Sequence, residues 1–326
     1  MSAATLSPEP PATTVSEPPV RTYHFRPVTA CNMCGADVSE SRMLGMRLNR
    51  SQGKSPAKRP GVAVSVRRCG RCGLHFADPQ PKPESLSDHY GVPADEYWPE
   101  SYFEVKPEYF ARQVADARRL LGLPETPGGG ERPLALDIGA GIGKAMVALE
   151  RGGFDPFGIE PSEPFREQAI ERIGIDPDRL QLAAIEDADF PADHFDFVTF
   201  GAVLEHLYDP AGSIEQALRW TRPGGVIQIE VPSSDHLMAK LLNLFFRLRG
   251  TNFVTNLSPM HPPFHIYEFT PESFRRHAAR AGCELAEHYF DVASIRHVPR
   301  FTHGLLRRWM DRRNSGQQLT VWLRKP

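Results

Sequence analysis

Apolar runs alternate with amphipathic segments along most of the chain. The runs at 134–138 and 195–200 are largely apolar, which is typical of parallel strands buried on both faces. Residues 111–121 instead place Val114 and Ala117 at helical spacing, and a stretch rich in Pro and Gly then ends that helix. Strands that alternate with helices predict an α/β fold with a doubly wound, mainly parallel sheet.

A glycine-rich turn follows the first of these strands, where residues 137–143 read Asp-Ile-Gly-Ala-Gly-Ile-Gly. Glycine lets the chain turn tightly and lets a ligand lie against the backbone. The amides that open the next helix then favour an anionic group such as a carboxylate. A P-loop would need Gly at Ile138 and Ser or Thr at Ala145. A dinucleotide fingerprint would need its third Gly at Lys144. Neither of these phosphate-binding motifs is present.

Further polar segments recur where later strands would end. The second strand ends in Glu160, about 20 residues after the glycine-rich turn. Nucleotide-binding units place a carboxylate at this distance to bind the ribose hydroxyls. Three further segments follow in order along the chain. The first is the acidic loop Ala184–Asp187, and the second is the strand Phe195–Phe200, which leads into Leu204-Glu205-His206-Leu207. The third is the turn Arg222-Pro223-Gly224-Gly225, which precedes the strand Val226–Val231.

Taken together, these motifs resemble those of the class I S-adenosylmethionine-dependent methyltransferases over roughly residues 107–300. The resemblance implies a Rossmann-like sheet of seven strands, with a terminal antiparallel strand at 319–323 and a helix that starts at 204–207. It assigns donor binding to Asp137, Gly139, Gly141, Gly143, Glu160, Ile185 and Glu186. This chain has Ala183-Ala184 where many relatives carry Asp, so the adenine contact is expected from Glu186 with the Ile185 backbone.

A long insertion, at about 233–268, precedes a helix predicted at 271–282 with Thr270 as its N-cap. The insertion contains an apolar helix at 237–248, for which a lid, extra core packing and a dimer surface are all compatible readings.

Three histidines are candidates for a general base, because imidazole titrates near neutral pH. His206 follows the fourth strand, and His261 and His265 lie on the insertion. A structural role at a helix start is the alternative for His206. The pair Glu205-His206 also resembles residues near a divalent-metal site in quinone-biosynthesis O-methyltransferases. No further carboxylate accompanies this pair, so we assign no catalytic metal from it.

Four of the five cysteines form two Cys-x-x-Cys pairs, Cys31/Cys34 and Cys69/Cys72. Two such pairs predict a closed, tetrahedral structural zinc site. Disulfides and a redox centre are the alternatives. The continuation at 72–79, Cys-Gly-Leu-x-Phe-x-x-Pro, resembles the zinc-binding N-terminal module of methyltransferases from polysaccharide and natural-product gene clusters. The basic segment 47–61 is expected to be a flexible excursion from this zinc-ribbon-like module.

Composition limits the remaining choices. The chain has 326 residues and a formal net charge of -2, which gives no case for a nucleic-acid partner. No apolar run approaches the ~20 residues of a membrane span, and the N-terminus lacks a secretory signal, so we expect a cytoplasmic protein. We expect a disordered tail over 1–22, the zinc module with a connecting segment over 23–106, and the methyltransferase domain over 107–326.

The sequence therefore predicts an S-adenosylmethionine-dependent methyltransferase that acts on a small molecule or a glycan, with O-methylation favoured. A sugar C-methyltransferase is the alternative within the class. A zinc-stabilised binding protein that has lost activity is the alternative from another class. A nucleic-acid or protein methyltransferase is disfavoured, since Gly201–Leu204 stands where the amino-methylating enzymes carry Asn/Asp-Pro-Pro-Tyr/Phe. The oligomeric state is left open.

Overall fold

The computed structural model describes residues 22–48, 62–85, 100–259, 264–292, 295 and 298–326. Its strands are β1 (Tyr23–Arg26), β2 (Ser41–Arg47), β3 (Val64–Cys69), β4 (His75–Ala77), β5 (Gln80–Pro83), β6 (Leu134–Ile138), β7 (Asp155–Glu160), β8 (Leu180–Leu182), β9 (Phe195–Gly201), β10 (Thr221–Pro232), β11 (Tyr267–Glu268), β12 (Glu284–Asp291) and β13 (Gln318–Arg324). Its α-helices are α1 (Ala111–Leu120), α2 (Lys144–Arg151), α3 (Glu163–Gln168), α4 (Pro210–Trp220), α5 (Leu237–Leu248), α6 (Pro271–Ala281) and α7 (His303–Arg312). Residues 1–21 of the expected tail and His261 lie outside the described residues, as does most of the basic excursion.

A seven-stranded sheet in the order β12-β13-β10-β9-β6-β7-β8 forms the centre of the molecule. Strands β6 to β10 pair in parallel, and β13 runs antiparallel to both β10 and β12. Four of the five residues of β6 are buried, as expected for a strand that helices cover on both faces. The predicted Rossmann-like sheet and its antiparallel terminal strand are confirmed.

Two helix starts show how local sequence sets the boundaries. Thr270 caps α6 as predicted, because its hydroxyl accepts a hydrogen bond from the Ser273 amide at 3.0 Å. The predicted helix start at 204–207 is wrong, since α4 begins only at Pro210. The side chain of Asp209 accepts from the Gly212 amide at 3.0 Å, and proline at the first helical position needs no amide partner. His206 therefore lies in the turn before α4.

A second sheet of four strands, in the order β11-β4-β3-β2, carries the cysteine pairs near its ends. Strands β2, β3 and β4 come from the N-terminal segment, whereas β11 comes from the insertion and pairs antiparallel to β4. The insertion therefore completes the N-terminal sheet, a long-range pairing that the sequence did not predict. A separate ribbon of β1 and β5 lies beside it.

The apolar helix of the insertion forms as predicted, as α5. Its exposed side carries a stripe of apolar side chains at helical spacing: Leu241, Leu244, Phe245 and Leu248. No residue of α5 lines the cavity at the glycine-rich turn, whereas His265 near the end of the insertion does. Across the described ranges, no helix combines the length and the apolar character that a membrane span requires.

Candidate active site

The glycine-rich turn lies between β6 and α2 and has left-handed backbone at alternate residues. Gly139 has a φ of +71°, and a Cβ built there would lie 2.6 Å from a methyl of Val203. Gly143 has a φ of +78°, and its Cβ would lie 2.5 Å from Ile175. Both positions therefore exclude a side chain on backbone and steric grounds. The spacing of the predicted motif thus has a conformational cause.

Glu160, at the end of β7, is bound to the same turn. Its carboxylate oxygens accept hydrogen bonds from the amides of Gly141 and Ser162, each at 2.8 Å. Burial raises the pKa of Glu160 to about 7, against the two amides, which lower it. A carboxylate has further lone pairs, so these two bonds leave acceptor capacity for a ligand hydroxyl.

A cavity of about 430 Å³ opens beside the turn. It brings together seven of the predicted residues: Gly139, Gly141, Glu160, Ile185, Glu186, His206 and His265. Two predicted donor-binding residues, Asp137 and Gly143, do not line it. Gly143 shapes the turn, and Asp137 is buried behind the turn with 3% exposure.

Several lining residues were missed by sequence reasoning, among them Tyr102, Phe165 and Tyr208. Tyr102 comes from the segment before α1, and its ring lies 4.5 Å from the Lys144 ammonium, in cation–π range. No spacing rule connects Tyr102 to the glycine turn. An aromatic-rich connecting segment was the only available signal.

Asp137 has one carboxylate oxygen, Oδ2, that is buried without a hydrogen-bond partner among the described residues. Burial, with a smaller effect from Glu160, raises the pKa of Asp137 to about 7 from an ordinary 3.8. The native state therefore favours the protonated form. The contribution of protonated Asp137 to folding stability is complete below the pKa that this carboxyl has in the unfolded chain, and it is lost as the pH rises through about 7.

We expect Asp137→Asn to remove this pH dependence, because an amide stays neutral. Thermal unfolding of the ligand-free protein should show the wild type losing stability relative to the variant as the pH rises from about 4 to about 8. Parallel stability curves for the two proteins would contradict the assignment of a raised pKa to Asp137.

Two histidines approach each other at one side of the cavity. The rings of His206 and His265 are nearly perpendicular, with centroids 4.6 Å apart. Nδ1 of His206 lies 3.2 Å from the Phe264 carbonyl oxygen. Because a carbonyl only accepts, Nδ1 carries the proton and the neutral ring has its lone pair on Nε2. The Ile266 amide donates to the Glu205 carbonyl at 2.9 Å, which fixes the insertion to this turn.

The carboxyl group of Glu205 lies close to both rings. Ligand atoms of Glu205, His206 and His265 all lie within 4.8 Å of one another. Glu205 is 1% exposed, and burial raises its pKa to about 8. One carboxyl group and two imidazoles are ligand types that can also hold a divalent cation.

The two cysteine pairs converge as predicted. Ligand sulfurs of Cys31, Cys34, Cys69 and Cys72 all lie within 4.8 Å of one another, with separations of 3.5 Å for Cys31–Cys72 and 3.6 Å for Cys34–Cys69. A disulfide would bring the sulfurs to about 2 Å, whereas tetrahedral zinc with bonds of about 2.3 Å places them about 3.8 Å apart. A hydrogen bond from Cys72 lowers the pKa of Cys31 to about 6, so one thiolate is already favoured. The four sulfurs fit a zinc ion.

The cysteine loops also contact the helices that follow the cavity. The side chain of Asn32 donates to Asp209 at 2.7 Å and accepts from the Ala211 amide at 2.8 Å, at the start of α4. At the start of α6, the Thr270 hydroxyl donates to the Cys72 carbonyl at 2.6 Å. The cluster therefore holds the positions of two helix starts.

The sheet, the glycine turn with its acidic partner and the adjoining cavity define a Rossmann-like protein with a cavity of the kind that suits a nucleoside-containing ligand. A family model described as "Methyltransferase domain" matches residues 108–314, and the chain belongs to this methyltransferase family.

The curated relatives include several named "Ubiquinone biosynthesis O-methyltransferase". The one from Methylococcus capsulatus is 29% identical over 155 residues, which are 47% of this chain and 63% of the relative. The one from Aeromonas salmonicida is 27% identical over 202 residues, which are 61% of this chain and 81% of the relative. The chain thus spans less than two thirds of the Methylococcus protein. The solved structure of a SAM-dependent methyltransferase from Archaeoglobus fulgidus is similar to this chain at 16% sequence identity and a TM-score of 0.41. The match covers 69% of this chain and 97% of the Archaeoglobus chain.

The family match therefore shows the methyltransferase domain that the sequence predicted. The prediction of an enzyme of this class is confirmed.

Proposed function

We propose that this methyltransferase acts on a hydroxyl group of a small molecule or a glycan. The observation that carries the proposal is the pair of imidazoles, His206 and His265, in the wall of the donor cavity. An alkyl or phenol hydroxyl has a proton to lose when its oxygen takes a methyl group, and an imidazole can accept it. The names of the curated relatives are consistent with small-molecule O-methylation.

The chemistry needs little from the protein beyond alignment and a base. S-adenosylmethionine supplies a methyl group on a sulfonium, which is already an activated leaving group. With the donor bound, the acceptor oxygen would take this methyl group and leave S-adenosylhomocysteine, and Nε2 of His206 or the His265 ring would accept the hydroxyl proton. The cavity walls contribute by holding the reactants in line and excluding water.

Donor binding is assigned to the glycine turn, to Glu160 and to the Ile185-Glu186 segment. Glu160 supports this role because it joins the turn through Gly141 and lines the cavity. Asp137 and Gly143 act through the shape of the turn. The zinc is structural in this proposal, because all four thiolates are used and no coordination position stays open for catalysis.

Glu160→Ala is expected to weaken binding of S-adenosylhomocysteine, measured by calorimetry, by about 1.5–3 kcal/mol, the range for hydrogen bonds to a charged group. Glu163→Ala is the matched control, since Glu163 is exposed at the start of α3 and does not line the cavity. Equal affinities for the Glu160 variant and the wild type would place the ribose contact elsewhere.

The acceptor class is tested by incubating the purified enzyme with labelled donor and extracts of its host, followed by mass spectrometry of the products. Label in an ether linkage of a small product or a glycan supports the proposal. Label on carbon would instead identify a C-methyltransferase. Donor binding without any methyl consumption across the extracts would favour a protein that has lost activity. Turnover with and without added magnesium separates a base from a metal-ligand role of the histidines.

A further inference from the structure

A second cavity lies between the N-terminal sheet and helix α5. Its volume is about 340 Å³, and it shares no lining residue with the donor cavity. Strands β2 and β3 supply Arg42 and Arg68, and α5 supplies Lys240 and Arg247. We call this cavity, with these four cations in its wall, the basic groove. It is built only from the cysteine-bearing sheet and the insertion.

The charge of the basic groove is opposite to that of the whole chain. Four cationic side chains line it with a single carboxylate, Asp235, whereas the whole chain has a formal net charge of -2. The cations come from the N-terminal sheet on one side and from α5 on the other, and therefore surround the space from two sides. Such an arrangement attracts an anion.

Two residues that line the groove, Arg68 and His75, have buried nitrogen atoms without hydrogen-bond partners among the described residues. Nε of Arg68 and Nε2 of His75 are buried without a hydrogen-bond partner among the described residues, and His75 is only 4% exposed. Nδ1 of His75 lies 3.5 Å from the buried carboxylate of Glu268, and His75 lines the groove. A buried donor without a partner is unfavourable, and a bound anion would satisfy it.

A bound anion would compete with the carboxylate of Asp235 for the cations of the groove. Its carboxylate lies 3.5 Å from Nη2 of Arg68 and 3.6 Å from Nζ of Lys240. Both distances exceed those of ordinary hydrogen bonds, so neither cation is tightly engaged. Arg42 on β2 and Arg247 on α5 have exposed side chains and line the groove from opposite sides. The groove therefore retains cationic groups that are available to a ligand.

We propose that the basic groove binds the phosphate or diphosphate group of a soluble small molecule. Guanidinium groups match phosphate oxygens in pairs, and a phosphoryl group can accept hydrogen bonds from several cations at once. Leu44 and Leu244 also line the groove and can contact an apolar part of the same ligand. The site is distinct from the donor cavity and makes no use of the proposed methyl transfer.

Calorimetric titration of the zinc-loaded, full-length protein with inorganic pyrophosphate, at constant ionic strength, tests this proposal. We expect one saturable site. Arg68→Gln and Arg247→Gln should each weaken binding by about tenfold or more, as expected for loss of a hydrogen bond to a charged group. Asp235→Asn should strengthen binding, because it removes the internal competitor.

Arg308→Gln is the matched control, since Arg308 is an exposed arginine of α7 that does not line the groove. Zinc content and donor affinity of each variant show whether the N-terminal sheet and the donor cavity are intact. The absence of a saturable site in the wild type would overturn the proposal. So would equal affinities for the wild type and Arg247→Gln, or weaker binding in Asp235→Asn. These outcomes do not depend on whether a methyl acceptor is found.

Discussion

Replacement of Cys72 by serine is expected to remove the zinc and to unfold the N-terminal sheet at a temperature at which the seven-stranded sheet persists. Cys72 is 2% exposed, and its sulfur lies 3.5 Å from that of Cys31. A structural zinc contributes its binding free energy to folding, which reaches about 10 kcal/mol or more in small zinc-dependent folds. Metal analysis should give one zinc per chain for the wild type and a marked loss for the variant.

Cys283→Ser is the matched control, because Cys283 is the fifth cysteine and is half-buried outside the cluster. It should keep the zinc and the unfolding profile. Thermal unfolding followed with limited proteolysis should then show early cleavage of the N-terminal sheet in Cys72→Ser alone. Wild-type protein without zinc, and with thiols that titrate freely under native conditions, would contradict the site.

Loss of the cluster should also reach the donor cavity, for a structural reason. Asn32 lies between the cysteines of the first pair and binds both Asp209 and the amide of Ala211. These residues begin α4, directly after the turn that carries His206. A zinc ion held by this cluster would therefore stabilise the position of a candidate base without contacting it.

Local chemistry explains which parts of the site the sequence could predict. The turn after β6 needs glycine because of its backbone angles and the contact at Gly139, so its spacing is visible in any single sequence. The cysteine pairs are visible for a similar reason, since two residues between thiolates suit one metal ion. Glu160 follows from the fixed length of a strand–helix–strand unit.

Long-range packing explains what the sequence could not predict. Pairing of β11 with β4 joins Tyr267 to Phe76, far apart in the chain, and short strands of this kind carry no recognisable signal. The late start of α4 was missed for a different reason: Asp209 and Pro210 form a strong helix start, and the family resemblance to Leu-Glu-His-Leu outweighed it.

The contact between His206 and His265 depends on both local sequence and long-range packing. Each residue was a candidate by its own position, one after β9 and the other on the insertion. Their contact depends on the Ile266 amide, which binds the Glu205 carbonyl and folds the end of the insertion over the turn. The insertion thus serves two sites, because it closes one side of the donor cavity and builds one wall of the basic groove.

His206→Ala or His265→Ala is expected to lower turnover at saturating donor by ~10²–10⁴-fold, the usual contribution of a general base, while S-adenosylhomocysteine affinity stays nearly constant. The bond between Nδ1 of His206 and the Phe264 carbonyl favours His206, since it directs the lone pair to Nε2. His265 is favoured if closure of the insertion on the acceptor brings the base into place.

The pH dependence of turnover distinguishes a base from a structural histidine. Protonation removes the lone pair that accepts the hydroxyl proton, so wild-type turnover should fall on the acid side of neutral pH. The variant that lacks the base should lose this acid limb together with the rate. His288→Ala is the control, because His288 is exposed on the edge strand β12 and should leave the profile unchanged. Near wild-type turnover in both single variants and in the double variant would show that neither histidine is the base. Alignment alone or another residue would then carry the reaction, and the case for a hydroxyl acceptor would weaken.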